Sequence, residues 1–303
     1  MAGETTLLIT NSGRFGQETA RALRKRNVCG LIMAPPVSNS GEVHENPPEG
    51  WAHLKGDMFE VETMLATARA AHHIIFVGSH GDGDHFEEME LISSLADTLE
   101  ESNGNFLLVR EQSFELKDEA SSHRESTMLK RIEEMLSDRS LRTNFNLAIL
   151  SLPHIYGPGL EARGLQQRLI SAAEGQPYTW PGKPIEEPQI MHVNDGATAI
   201  AAAFQRARRG GERLWVSGDA EVTMKSLADM VAEMTGGLSK VSWPNVSFLE
   251  TLKGTYRKPS RPRAIGKILP GTEISEEINA RKPLGEGLRE TLLAISVNQR
   301  APS

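Results

Sequence analysis

Thr6-Leu-Leu-Ile-Thr10-Asn-Ser-Gly13-Arg-Phe-Gly16-Gln17 reads as a short apolar strand, a glycine-containing turn and the start of a helix, in that order. Such a turn aims backbone N–H groups and the positive end of a helix dipole at one point, and small side chains keep that point open. A pyrophosphate is the ligand that geometry suits, so the candidate cradle runs through Thr10, Asn11, Ser12, Gly13, Arg14, Phe15 and Gly16. Two of the three glycines of the dinucleotide pattern are present, and Thr10 stands where the first is expected. Taken alone, the stretch is equally readable as an ordinary strand-to-helix connection.

Working outward, apolar runs of strand length at 6–10, 28–34, 74–78, 106–110 and 147–150 alternate with helical stretches at 16–26, 60–71 and 86–101. Strands joined through helices pair in parallel, because parallel neighbours need a long crossover. The expected class is therefore α/β: a Rossmann-type doubly wound parallel sheet, with residues 1–155 as the dinucleotide-binding core. Past Tyr156 the pattern changes to short strands, Pro/Gly turns and helices at 164–174 and 224–235. Residues 156–303 are expected to form a smaller substrate lobe, with about 188–218 returning to the core. The stretch 35–50, rich in Pro, Ser, Asn and Gly, reads as an exposed loop after the second strand.

Composition narrows the functional classes. The single cysteine, Cys29, lies in an apolar stretch, reads as core and cannot form an internal disulfide, which suits a reducing compartment. The first residues lack a signal-peptide pattern, and no segment approaches the ~18 apolar residues of a membrane span, so a cytoplasmic location without a membrane partner is expected. A net charge of -7, with Arg24-Lys25-Arg26 as a small local basic cluster, argues against nucleic acid as a partner.

Further stretches extend the nucleotide reading. Gly56-Asp57-Met58 precedes a predicted helix, where Asp57 is either a carboxylate against an adenine ring or an N-cap. Ile74-Ile-Phe-Val77-Gly78-Ser79 is a strand whose end would run beside a cofactor. With Ile155-Tyr-Gly-Pro-Gly159, Met191-His-Val-Asn-Asp195 about 35 residues later, and Leu284-Gly-Glu-Gly-Leu-Arg-Glu-Thr291, the chain resembles the extended short-chain dehydrogenase/reductase superfamily. That group includes sugar-nucleotide epimerases, dehydratases and related reductases, and the resemblance runs from residue 6 nearly to 295. It implies cofactor contacts at the turn and at Asp57, Met58, Val77, Gly78, Ser79, Lys130 and Pro153. It also implies a small-molecule substrate, and a homodimer paired through the helices at 86–101 and 122–137.

The departures concern chemistry. The family's acid–base pair is Tyr-x-x-x-Lys, and here the matching stretch is Ser126-Thr-Met-Leu-Lys130. None of Tyr156, Tyr178 and Tyr256 is followed four residues later by lysine, and a serine hydroxyl is too weak an acid to replace a phenol unaided. On this reading Lys130 holds the nicotinamide ribose, His154 or Tyr156 relays the proton, and Ser113 polarises a carbonyl. Pro188-Gln189 replaces a polar Arg-Asp pair, and Arg261 and Arg263 are either an anion contact or a solvated basic turn. Leu31-Ile-Met-Ala-Pro-Pro36 has no carboxylate to bind ribose hydroxyls and Arg14 is placed for a 2′-phosphate, so NADP is favoured over NAD.

His80-Gly-Asp-Gly-Asp-His85 has the composition of a metal site, yet no third histidine stands at a recognisable spacing, and no metal is expected. His72-His73 is expected at a helix end, held by its dipole. The functional expectation is an atypical NADP(H)-binding protein that reduces, epimerises or dehydrates a small polar or carbohydrate-related substrate. The alternatives are a catalytically silent NADP-binding sensor or scaffold, and a redox-neutral enzyme.

Overall fold

The computed structural model describes residues 4–34, 46–54, 61–78, 85–100, 104–112, 119–143, 145–181, 183–210, 212–218, 222–243, 271–278 and 281–300. Side chains at 85–87, 119–126, 212 and 298–300 are outside that description.

The first half alternates strand and helix. β1 (Thr6–Thr10), α1 (Gly13–Arg24), β2 (Gly30–Met33) and β3 (Trp51–Leu54) are followed by α2 (Val61–Ala70), β4 (His73–Val77) and α3 (His85–Leu99). Next come β5 (Asn105–Glu111), α4 (Glu119–Arg142) and β6 (Asn146–Leu152). Two strands from farther along, β10 (Glu212–Trp215) and β12 (Thr272–Glu273), complete an eight-stranded sheet in the order β12-β10-β6-β5-β4-β1-β2-β3. Every neighbouring pair in it is parallel.

Side chains alternate between the faces of this sheet with a period of two. Leu8 packs with α1 and with α6 (Val193–Ala207), while Leu7 and Ile9 pack on the opposite face with α2, α3 and α4. Both faces are covered, so the strands read as continuous apolar runs. The alanines of α6 let it lie close against the Phe15–Ala20–Leu23 stripe of α1. The chain runs from β1 toward β2 on one side and resumes at β4 on the other. That reversal leaves a crevice beyond the carboxyl ends of β1 and β4, which is where α1 begins.

A second, smaller core forms from β7 (His154–Tyr156), α5 (Gly164–Ala173), α7 (Met224–Met234) and α8 (Leu284–Arg300), with Trp180 fully buried among them. β7 pairs with β9 (Ile190–His192), and β8 (Tyr178–Thr179) with β11 (Val241–Ser242). No helix among the described residues is long and apolar enough to cross a membrane.

Two expectations change. Cys29 is exposed: its carbonyl accepts from Thr6 N at 3.2 Å, so its backbone is held by the sheet while Val28, one residue earlier, points inward. His72 and His73 lead into β4 rather than ending a helix. His73 is buried, its Nε2 donating to Glu4 at 3.1 Å and its Nδ1 accepting from Asn105 at 2.8 Å, and burial pushes its pKa down.

Candidate functional site

The turn is built from short-range contacts. Ser12 is the N-cap of α1; its Oγ accepts from Phe15 N at 3.3 Å, satisfying one of the donors that a helix start leaves open. Ser12 N donates to Thr10 Oγ1 at 3.2 Å, and Gly16 N donates to Ser12 O at 2.9 Å. These bonds account for threonine in a glycine's place. Its hydroxyl is used by the turn, and its methyl fills the space a side chain at Gly16 would need: a Cβ there would lie 2.8 Å from Thr10 Cγ2 and 3.2 Å from Ile32 Cγ2. Gly13 is buried, and the first turn of α1 holds no acidic residue. Arg14 lies along α1 with Nη2 2.8 Å from Glu18, a carboxylate shared with Arg21 at 2.6 Å.

Beside the turn, Val77 is buried at the end of β4, and Gly78 N donates to Val109 O at 3.1 Å. A Cβ at Gly78 would lie 2.7 Å from Glu88 Oε1 of α3, so a side chain there would have to push that carboxylate aside. Pro153 is buried between β6 and β7. Residues 35–45, 55–60, 79–84 and 113–118, which follow β2, β3, β4 and β5 in the chain, lie outside the described residues. With them go Gly56, Asp57, Met58, Ser79, Ser113 and most of the 80–85 stretch; Arg261 and Arg263 fall outside as well.

The proposed proton-handling residues that are described have different surroundings. Lys130 sits on α4 with its side chain 66% exposed, 3.5 Å from Glu134. Ile132 and Leu136 of the same helix are buried, and a two-residue step on a helix turns by about 200°, so Lys130 falls on the outer face. Ser126 lies on α4 one turn earlier, its side chain outside the described residues. Tyr156 is fully buried in the lobe, edge-on to His192 with ring centres 5.6 Å apart. Its hydroxyl lies where a Cβ on Gly287 of α8 would come within 2.6 Å. His154 is a strut: Nδ1 lies 2.8 Å from Glu111 Oε1, and Nε2 accepts from Leu165 N at 3.2 Å. Those partners assign the proton to Nδ1 and engage both ring nitrogens.

Glu111 escaped the sequence reading. This buried carboxylate at the end of β5 also accepts from Ile155 N at 2.8 Å, tying the central sheet to β7. A charge in an otherwise apolar strand, Val109-Arg-Glu111, was the available signal. Gln189, standing where the family has a polar anchor, is used internally, its Oε1 accepting from Gly218 N at 3.0 Å. The His-Val-Asn-Asp stretch also proves to be a brace. His192 caps α6 by accepting from Asn194 N at 3.3 Å, and Asp195 accepts from Lys282 N at 2.9 Å. Burial, helped by the nearby Lys282 charge, holds the His192 pKa down at about 4, and burial pushes Asp195 up.

Ser12 and Phe15 of the turn, Glu111 of β5, and Arg163 and Gln166 of the lobe line one narrow cavity of about 10 Å³, room for about one water. It is the point where cradle, sheet and lobe meet. Neither a protein-family model nor a curated protein matches the chain. Solved structures do, over nearly the full length. MoeE5 in complex with UDP-glucuronic acid and NAD is 16% identical, with a TM-score of 0.66 over 96% of this chain and 98% of that one. The UDP-glucose 4-epimerase of Thermotoga maritima with UDP-glucose is 14% identical, with a TM-score of 0.64 over 98% and 100%. The UDP-N-acetylglucosamine 4-epimerase of Methanobrevibacter ruminantium, in complex with UDP-N-acetylmuramic acid, is 16% identical, with a TM-score of 0.65 over 99% and 100%.

The fold is that of the UDP-sugar epimerases. At these identities the likeness concerns architecture, and it agrees with the superfamily the sequence resembles. Within the epimerase fold, the capped, acid-free start of α1 at the β1/β4 reversal fits a dinucleotide's pyrophosphate. Such a cofactor supplies a hydride acceptor or donor when bound.

Proposed function

We propose that this chain binds a nicotinamide dinucleotide, its pyrophosphate over residues 11–16, and serves chemistry of the epimerase, dehydratase or reductase kind on a small polar or carbohydrate-related substrate. The observation that carries this reading is the Ser12-capped N-terminus of α1, locked by Thr10 and Gly16 at the reversal point of the sheet. NADP is preferred over NAD, because β2 ends at Met33, followed by Ala34, without a carboxylate, and Arg14 lies in the cradle. Two arginines share Glu18, so the cluster keeps a net positive charge for a 2′-phosphate. The lone, exposed Cys29 suits a cytoplasmic setting, and pairing of two copies through α3 and α4 is the oligomer we propose.

A second reading, a catalytically silent dinucleotide sensor or scaffold, is favoured by the separate commitments of Lys130, His154 and Tyr156. Nucleotide analysis of the purified protein, followed by a panel of UDP-sugars, carbonyls and alcohols, decides between the two. Bound NADP(H) with turnover supports the enzyme, bound nucleotide without turnover supports the silent module, and affinity for neither dinucleotide at millimolar concentration removes both.

A further inference from the structure

The end of the sheet opposite the crevice holds a larger cavity. Helices that cross between parallel strands run back along the sheet, so α1 and α6, packed side by side, both finish at its amino end. There a depression of about 560 Å³ is lined by Arg26, Gln205, Arg206, Arg209 and Glu277. Its size is that of a small-molecule site.

The charges around it do not balance. Arg24 lies 3.6 Å from Glu49, Arg208 donates to Glu4, and Arg206 binds Glu277 Oε1 through Nε at 2.6 Å and Nη2 at 2.5 Å. Lys25, Arg26 and Arg209 have no carboxylate partner among the described residues. A cation in the last turn of a helix is accounted for by the helix dipole, and Arg24 and Arg206 stand in those turns. Arg26 and Arg209 stand beyond the C-caps, Lys25 and Arg208, where that effect has faded. Cations gathered on one concave surface raise its potential and favour an anion there. Glu277 and the carbonyl ends of the two helices oppose that anion. Arg206 already offsets Glu277, and the last-turn arginines offset the helix ends.

We propose that this depression is a second anion site, which takes a small molecule carrying two or more phosphate groups. A guanidinium presents paired N–H donors that match two phosphate oxygens at once, and Arg26 and Arg209 supply two such forks from two helix ends. Two cations without carboxylate partners suit a multiply charged phosphate better than a single carboxylate. Arg206, held by Glu277, shapes the wall, and the half-buried Gln205 offers a further amide donor. The 12 residues of α1 put about 18 Å between this site and the turn. The two sites are distinct, and this inference does not rest on the dinucleotide reading.

Calorimetric titration of the full chain with inorganic pyrophosphate, at fixed low ionic strength, tests it. Gly13→Asp closes the turn to phosphates, so the pyrophosphate that this variant still binds reports the second site. Adding Arg26→Gln and Arg209→Gln together should weaken that binding tenfold or more, and either alone should weaken it less. Arg26→Lys with Arg209→Lys should fall between, because the charge remains and the fork is lost. Arg26 is half-buried and Arg209 exposed, so melts of these variants should stay within a few degrees of the parent. Their affinity for NADP(H) should match the parent's. In the parent, the double glutamine substitution should remove one site of pyrophosphate binding, which keeps the test decisive if Gly13→Asp does not fold. Undiminished pyrophosphate binding in the double glutamine variant, or none in a folded Gly13→Asp at millimolar concentration, overturns the proposal and leaves the dinucleotide reading untouched. Tighter binding of a glutamate-rich peptide than of pyrophosphate would also overturn it, in favour of an acidic protein partner.

Discussion

At the β1–α1 turn, Thr10 and Ser12 bind backbone groups two and three residues away, whereas Lys130, His154 and Tyr156 find their partners in three separate places. The turn is a local object whose geometry follows from a few consecutive residues. The proton-handling set is a long-range object, present only if three layers converge. The epimerase fold keeps the first here and commits the members of the second elsewhere: Lys130 to an exposed ion pair, His154 to a strut, Tyr156 to the lobe's core.

The largest effect is expected where layers are tied. Glu111→Ala removes the acceptor for two buried donors, His154 Nδ1–H and Ile155 N, and should cost about 3 kcal/mol or more in urea denaturation. If stability barely changes, the sheet–lobe tie is not where we place it.

His192 comes next. Its folded pKa of about 4 lies below the ordinary 6.5, so between those values the unfolded chain binds a proton that the folded chain refuses. Stability therefore falls as pH drops from 6.5 toward 4, by about 3 kcal/mol in all, and His73, also pushed down by burial, adds in the same direction. His192→Asn keeps an N-cap acceptor and should flatten this slope, as read from melts across that window. An unchanged slope would move the acid sensitivity to other groups.

Smaller, and sharper for the turn itself, is Gly16→Ala. The added Cβ meets the Thr10 methyl at 2.8 Å and should cost about 1–2 kcal/mol. Adding Thr10→Gly should recover part of that cost, since the two positions compete for one space, although it also removes the Thr10 hydroxyl from Ser12 N. Strict additivity in the double variant would show that Thr10 is not the opposing group.

The same contrast explains what the sequence made legible. β1, β4 and β5 stand out because both their faces are buried and their apolar runs are continuous. β3 does not, because Trp51 is its one buried residue, and β12 is a two-residue edge. The capped turn was readable because its bonds span two or three positions. The Glu111–Ile155 bond spans 44 positions, and no local pattern encodes it. Lys130 was assigned from spacing in a family motif, but spacing does not say which helix face is buried; Ile132 and Leu136 decide that. Cys29 was misread because one apolar run carried it inward together with Val28.

The smallest predicted effect is also the most telling. An exposed i,i+4 pair is worth at most about 0.5 kcal/mol, so Lys130→Met should leave stability nearly unchanged. The central claim is that the turn holds the dinucleotide and that Lys130 does not. Side-by-side calorimetric titration of the parent, Gly13→Asp and Lys130→Met with NADP(H) tests it most directly. The account predicts one site in the parent, no binding in Gly13→Asp and affinity within twofold in Lys130→Met; a tenfold loss in Lys130→Met, or undiminished binding in Gly13→Asp, would contradict it.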